Sequence, residues 1–246
     1  MTPDRLIDFE RVLNFRDFGG YDTPNGPVAR GKLYRSASFH DASDADIAKL
    51  EAMDVRFLVD LRRPEERNHE PNRWPGEKRR SIWNDEGAAA MALPPHLVAL
   101  LQSDLSPASV KQYMTSLYRD WFAELGEGGA GIIHCAAGKD RTGIGCALTL
   151  LALGVDEETV FADYEFTNQA VDIETRMPRI QQRMEERLAR KLDPDALRPM
   201  LGVDLDYLRA TFAEIEARQG GVGKYLREVL GVGDAEVTNL RTRLLA

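Results

Sequence analysis

The stretch Gly131-Ile132-Ile133-His134-Cys135-Ala136-Ala137-Gly138-Lys139-Asp140-Arg141-Thr142-Gly143 decides how the chain is read. Its first four residues are a short apolar run with strand character. Residues 142–153 are small and apolar, and Gly154 stands where such a helix would stop. Between strand and helix, Cys135 and Arg141 are separated by five residues. Five residues let the backbone curl until successive N–H groups face one anion, and the following helix adds the positive end of its dipole. Gly138 suits a backbone conformation awkward for other residues, and Gly143 permits close packing of the helix start. Arg141 closes the loop with a planar fork that matches two oxygens of a phosphate group. The unit is therefore an anion nest with a nucleophile at its base.

The same field acts on the thiol. A free cysteine has a pKa of roughly 8.5, and a helix N-terminus with nearby cations lowers it by several units, so a thiolate at neutral pH is expected at Cys135. Thr142 is placed to donate its hydroxyl to the sulfur when thiolate has to leave. His134 is read as orienting the loop through hydrogen bonds. Taken singly these residues mean little, since a lone cysteine is most often a small buried hydrophobe and a lone arginine is most often solvated. Together, with strand and helix on either side, they specify chemistry. Cys146 lies inside the apolar helix and is read as core, with a redox partnership to Cys135 as the lesser alternative.

Working outward, Val55-Arg56-Phe57-Leu58-Val59-Asp60 predicts a buried strand ending in Asp60. Ser43, with Asp46 three residues on, predicts a capped helix through about Met53. Lys32-Leu33-Tyr34-Arg35 reads as a short extended segment among glycine and proline turns, and residues 62–80, with three prolines and many charges, read as loop. Ser106-Pro107 predicts a helix start, and Val110, Tyr113, Met114, Leu117, Trp121 and Leu125 recur at helical spacing up to Gly126. Beyond Asp156 the pattern is helical, with Asp156, Asp193, Asp204 and Asp234 as N-caps and a helix over 172–192 striped by Ile173, Met177, Ile180, Met184 and Leu188. The expected fold is α/β: a mainly parallel central sheet flanked by helices, with an all-helical C-terminal layer. One domain is expected over 1–246, its sheet and loop core in 1–155 and its helical layer, with a candidate lid, in 156–246.

A chain of 246 residues, 43% hydrophobic, can bury one substantial core. Nothing approaches the roughly 18 consecutive apolar residues of a membrane span, and the N-terminus has no signal-peptide pattern, so a cytoplasmic protein is expected, with signal-independent secretion left open. Two cysteines are too few for a disulfide scaffold, and His40, His69, His96 and His134 show no metal-ligand spacing; neither metal nor cofactor is expected. A formal net charge of −8 argues against nucleic acid as partner. It also means that an anionic ligand needs a strong local site to overcome the repulsion of the whole molecule.

The loop resembles that of the protein tyrosine phosphatase superfamily. More narrowly, the chain is similar to bacterial atypical tyrosine and lipid phosphatases of the protein tyrosine phosphatase B type. That likeness rests on Asn14-Phe15-Arg16-Asp17-Phe18-Gly19-Gly20, Leu33-Tyr34-Arg35-Ser36, Val59-Asp60-Leu61-Arg62 with Glu66-Arg67, Gly138-Lys139-Asp140, Asp163-Tyr164, Asn168, Tyr225-Leu226 and Leu240-Arg241. The resemblance implies a tyrosine-phosphatase-like fold and hydrolysis of phosphate monoesters through a phosphocysteine on Cys135. It implies phosphotyrosine proteins as substrates, with phosphoserine, phosphothreonine and phosphoinositides as further ones. Substrate would be held by His134, Ala136, Ala137, Gly138, Lys139, Thr142 and Gly143. Lys139 is shared with phosphoinositide phosphatases, so it is read either as reaching a second phosphate or as assisting at the first.

The hairpin after Asn168 is similar to a segment that covers the active site in a related enzyme. Its Arg176, Arg179 and Arg183 are read first as a solvated face and second as contacts to anionic substrate. No tryptophan-proline-aspartate acid loop occurs. Asp140 is the leading general acid and Asp60 the runner-up, although Asp60 with Arg62 equally suits a structural ion pair. Two other readings compete: a rhodanese-like sulfurtransferase, disfavoured by His134 and Arg141-Thr142, and an inactive phosphopeptide-binding module, disfavoured because binding needs no nucleophile.

Overall fold

The computed structural model describes residues 3–75, 79–83 and 107–246. Its sheet has five strands, β1 (Arg16–Asp17), β2 (Leu33–Ser36), β3 (Val55–Asp60), β4 (Arg80–Ile82) and β5 (Ala130–His134), in the order β1-β2-β5-β3-β4. Only β1 runs antiparallel to its neighbour; β2, β5, β3 and β4 are parallel. Every residue of β5 is buried, as its unbroken apolar run requires of a central parallel strand. Ser36 and Asp60 both pair with His134, so three strands end in register and Cys135 leaves the middle of the sheet's carboxyl edge. Open parallel sheets bind ligands at that edge.

Side chains alternate across the strands and feed two cores. Phe57, Val59 and Ile133 pack on one face with Trp121 and Leu148. Leu58 and Ile132 pack on the other with Phe39, Leu50 and Trp74.

The helices follow the sequence closely where caps and periodicity are strong. Helix α1 (Asp44–Ala52) carries a capping box: the Asp46 N–H donates to the Ser43 hydroxyl, and the Ser43 N–H to the Asp46 carboxylate, both at 3.1 Å. Residues 62–80 differ from the loop expected. They contain helix α2 (Pro64–His69) and open onto β4. Pro64 starts α2 at its first position and the Glu66 carboxylate accepts the Arg63 N–H at 2.8 Å. Six residues with none buried leave no apolar period to read, and three-residue β4 is set by its pairing with β3.

Helix α3 (Pro107–Glu127) runs slightly past the expected stop before Gly126, and Leu117, Trp121 and Leu125 are fully buried. The expected cap Ser106 and the side chains of Val110, Tyr113 and Met114 lie outside the described residues. Helix α4 (Asp140–Leu153) begins two residues earlier than expected and closes on Gly154 at φ 100°.

Then come α5 (Glu157–Ala170), α6 (Ile173–Leu188), α7 (Pro194–Leu201) and α8 (Leu205–Gln219). Asp156, Asp193 and Asp204 cap α5, α7 and α8. A helical turn through Val222–Lys224 and a π turn through Tyr225–Val229 lead to α9 (Asp234–Leu244). Here Gly233, not Asp234, is the N-cap; Asp234 is the first helical residue, where its charge still favours the helix N-terminus. Of the stripe on α6, Met177 is buried while Ile173 and Met184 are half-buried; the side chains of Ile180 and Leu188 lie outside the described residues. Among the described residues no helix is long and apolar enough to cross a membrane.

Candidate active site

The loop between β5 and α4 has its carbonyls turned away from its centre. The Cys135 carbonyl accepts from His134 Nδ1 at 3.2 Å, and the Ala136 carbonyl from the Ser38 N–H at 3.1 Å. The Gly138 carbonyl accepts from Asn14 Nδ2 at 2.7 Å and an Arg35 guanidinium nitrogen at 2.9 Å; the same nitrogen lies 3.3 Å from the Lys139 carbonyl. In a trans peptide the C=O and the next N–H point opposite ways. Turning these four carbonyls outward therefore turns the N–H groups of Ala136, Ala137, Lys139 and Asp140 inward, around the position above Cys135. That is the geometry of an anion nest on a helix N-terminus.

Gly138 sits at φ +67°, and a Cβ there would lie 2.4 Å from the Ser36 carbonyl. Gly138→Ala is expected to lower kcat/KM by about 10²-fold, the scale of a misplaced reacting group, and to lower the melting temperature. Wild-type kinetics in that variant would show that the tight loop is dispensable. At Gly143 a Cβ would meet the Tyr164 ring at 2.5 Å, the close helix packing its sequence position suggests.

Arg141 is aimed by two elements. Its guanidinium donates to the Leu61 carbonyl at 3.0 Å and forms a bidentate pair with the Glu66 carboxylate, both bonds 2.8 Å. Burial pushes the Glu66 carboxyl up, but the bonds and charge of Arg141, with Arg63, outweigh it and bring it down to about 2. Tyr118 steadies the same residue from behind, its hydroxyl donating to the Arg141 carbonyl at 2.7 Å.

The two candidate acids differ sharply. Asp60 is 3% exposed, accepts from the Arg62 backbone at 2.9 Å and its guanidinium at 2.8 Å, and lies 3.4 Å from His134 Nε2. Burial raises its pKa, yet His134 and Arg62 together hold it far below the usual carboxylate range. Asp140 stands at the start of α4 and, among the described residues, has only long contacts, 3.5 Å to Lys139 Nζ and 3.5 Å from the Tyr164 hydroxyl. Lys139 Nζ donates to the Gly202 carbonyl at 2.6 Å, so its ammonium is tied to the α7–α8 junction. Among the described residues, the buried Thr142 hydroxyl has no hydrogen-bond partner. Cys146 is fully buried, and burial pushes its thiol up to about 12, as a core cysteine. The side chains of Arg176, Arg179 and Arg183 lie outside the described residues.

Trp83 follows β4 and is 52% exposed, with the Arg67 guanidinium 5.8 Å from its ring centroid.

Residues 7–246 match the family model described as the tyrosine phosphatase family. The chain belongs to that family. It is 34% identical over 256 residues to a Cupriavidus necator protein named as a tyrosine-protein phosphatase, covering 98% of this chain and 88% of that one. It is 30% identical over 281 residues to the triple specificity protein phosphatase PtpB of Mycobacterium tuberculosis, covering 94% of this chain and 96% of that one. Among solved structures, P. aeruginosa TpbA overlaps 74% of this chain and 95% of its own at a TM-score of 0.37 and 17% identity. The protein is accordingly a phosphatase, which sets aside the sulfurtransferase reading.

In this phosphatase Cys135, Arg141, Asp140 and the loop residues stand together at the carboxyl edge, with Asp60 one strand away. Residue-by-residue reading missed Glu66 and Asn14 as partners of the site; the signal available was the Pro-x-Glu start of α2, whereas the positive φ of 55° at Asn14 is visible only in the structure.

Proposed function

We propose that the protein hydrolyses phosphate monoesters through a phosphocysteine on Cys135. Phosphotyrosine in proteins is the main substrate class, with phosphoserine, phosphothreonine and phosphoinositides as further ones, and the whole chain works as one catalytic unit. The observation that carries the reading is the set of outward-turned carbonyls around Cys135 beneath an arginine fixed by Glu66. In the first step the Cys135 thiolate attacks phosphorus. The S–P bond forms, the bond to the substrate oxygen breaks, and Asp140 donates the proton that oxygen needs. In the second, water attacks phosphorus, the S–P bond breaks with the Thr142 hydroxyl donating to the departing thiolate, and the water's proton passes to Asp140. The products are the dephosphorylated alcohol or phenol and inorganic phosphate. Inward N–H groups and Arg141 stabilise the equatorial charge in both steps.

The wide substrate range draws on the name of the triple specificity relative. The preference for phosphotyrosine draws on the tyrosine phosphatase family the chain belongs to and on the name of its Cupriavidus necator relative. A panel of phosphotyrosine peptide, phosphoserine peptide and a phosphoinositide at equal concentration tests the ranking, and a higher kcat/KM for the lipid would reverse it.

Asp140 is preferred as the acid because Asp60 is committed as an anion to Arg62 and His134. Asp140→Asn should then slow phosphoserine hydrolysis far more than hydrolysis of an activated aryl phosphate, whose phenol departs with little protonation. Asp60→Asn should affect both substrates equally. The opposite pattern in folded variants would make Asp60 the acid.

A further inference from the structure

Behind the phosphate loop lies a buried ionic cluster that the chemistry above does not use. Asp163 on α5 is 2% exposed and sits between two fully buried arginines, Arg16 on β1 and Arg35 on β2. Its carboxylate accepts from Arg35 at 3.0 Å, from Arg16 at 3.4 Å and from the Tyr21 hydroxyl at 3.0 Å. Arg16 also donates to the Asp163 carbonyl at 2.9 Å, to the Thr167 hydroxyl at 3.2 Å and to the Asn14 side-chain oxygen. Burying charge is costly unless it is paired. Among the described residues, Asp163 is the one acid bonded to either arginine, so two buried positive charges share one negative.

The surplus is spent on the loop. Arg35 uses one nitrogen for Asp163 and another for the Gly138 and Lys139 carbonyls. Asn14, oriented by Arg16, gives its amide to Gly138 from the other side. Gly138 is the loop residue with a positive φ, where the chain reverses to bring the next N–H groups inward.

We propose that Asn14 and Arg35 are positioning residues for catalysis: they grip the Gly138 carbonyl from two sides, fixing the inward N–H groups, while Arg35 adds positive charge behind the anion. Asp163 and Arg16 aim the two grips. The net positive charge of the cluster faces both the Cys135 thiolate and the anion the loop binds, so the cluster favours the occupied state as well as the correct loop shape.

The inference rests on the phosphatase reading, and inorganic phosphate is the probe. Asn14→Asp is the sharpest variant. Aspartate keeps the size and the tolerance of positive φ, and still accepts from Arg16, but it presents a carboxylate oxygen to the Gly138 carbonyl where an N–H donor was. It should raise the inhibition constant for inorganic phosphate by about tenfold or more, because a hydrogen bond is lost and a carboxylate–carbonyl repulsion takes its place, and lower kcat/KM on an aryl phosphate. Tyr21→Phe is the control: it removes a bond to Asp163 but none to the loop, so it should lower the melting temperature and leave the phosphate constant within about twofold.

A general stability role would move both variants alike, so equal losses of phosphate affinity overturn the proposal, as does a folded Asn14→Asp with wild-type affinity and turnover. If Asn14→Asp does not fold, Arg35→Lys carries the same comparison, because one ammonium cannot span both Asp163 and the loop carbonyls. A wild-type protein that neither hydrolyses the aryl ester nor binds phosphate would instead overturn the phosphatase reading itself.

Discussion

Cys135→Ser is expected to lower kcat by about 10⁴-fold or more while leaving affinity for inorganic phosphate close to that of the wild type. The two halves come from different atoms. Turnover needs an ionised, polarisable nucleophile, and a serine hydroxyl in the same place stays protonated, with no adjacent base in the mechanism to activate it. Binding depends on the N–H groups of Ala136, Ala137, Lys139 and Asp140 and on Arg141, whose anchors at Gly138 and Glu66 do not involve the sulfur. Titration calorimetry with inorganic phosphate and steady-state kinetics on an aryl phosphate measure the two separately. Acid quenching during turnover of a ³²P-labelled phosphotyrosine peptide should leave label on the wild-type protein and none on the variant. Substantial turnover by the folded variant would end the covalent mechanism.

What could be read from the sequence was whatever depends on neighbours along the chain. Val55–Asp60 was legible to the residue because a central parallel strand is apolar on both faces. The Ser43 box and the Gly154 stop worked because caps are satisfied locally, by atoms three or four residues away. The same logic located Cys135, the loop and α4, since one short segment carries nucleophile, nest and helix. It failed at α2 and β4, which are too short for a period and exist because β3 offers an edge and Arg141 a charge. It failed again for the groups that aim the loop: Glu66 lies 75 residues from Arg141, and Asn14 lies 124 from Gly138. Pairings at that separation leave no spacing pattern. The resemblance had placed Asn14 and Glu66 inside motifs without saying what they touch, and the structure supplies the partners.

The Glu66 brace makes Arg141 the second position where a small change should have a large effect. Arg141→Lys is expected to lower kcat/KM by about 10³-fold, because an ammonium is a point charge that cannot hold both Glu66 oxygens and still offer two donors to phosphate. Glu66→Gln tests the brace alone. It keeps the shape but turns one oxygen into an N–H group facing the guanidinium, so one bond becomes a repulsion, and a loss of about tenfold in kcat/KM is expected. If Glu66 acts through Arg141, adding Glu66→Gln to Arg141→Lys should cost much less than it does in the wild type, since the bidentate pair is already gone. Acidity gives an independent reading. The Glu66 carboxyl is drawn from 4.5 to about 2 in the folded protein. A depressed carboxyl contributes stability that is present above its ordinary value and is lost as pH falls through the folded one. Denaturant midpoints of the wild type should therefore fall between pH 4.5 and 2, and Glu66→Gln should flatten part of that slope. Strictly additive losses in the double variant, together with an unchanged acid slope, would mean that Glu66 serves the fold and not the arginine.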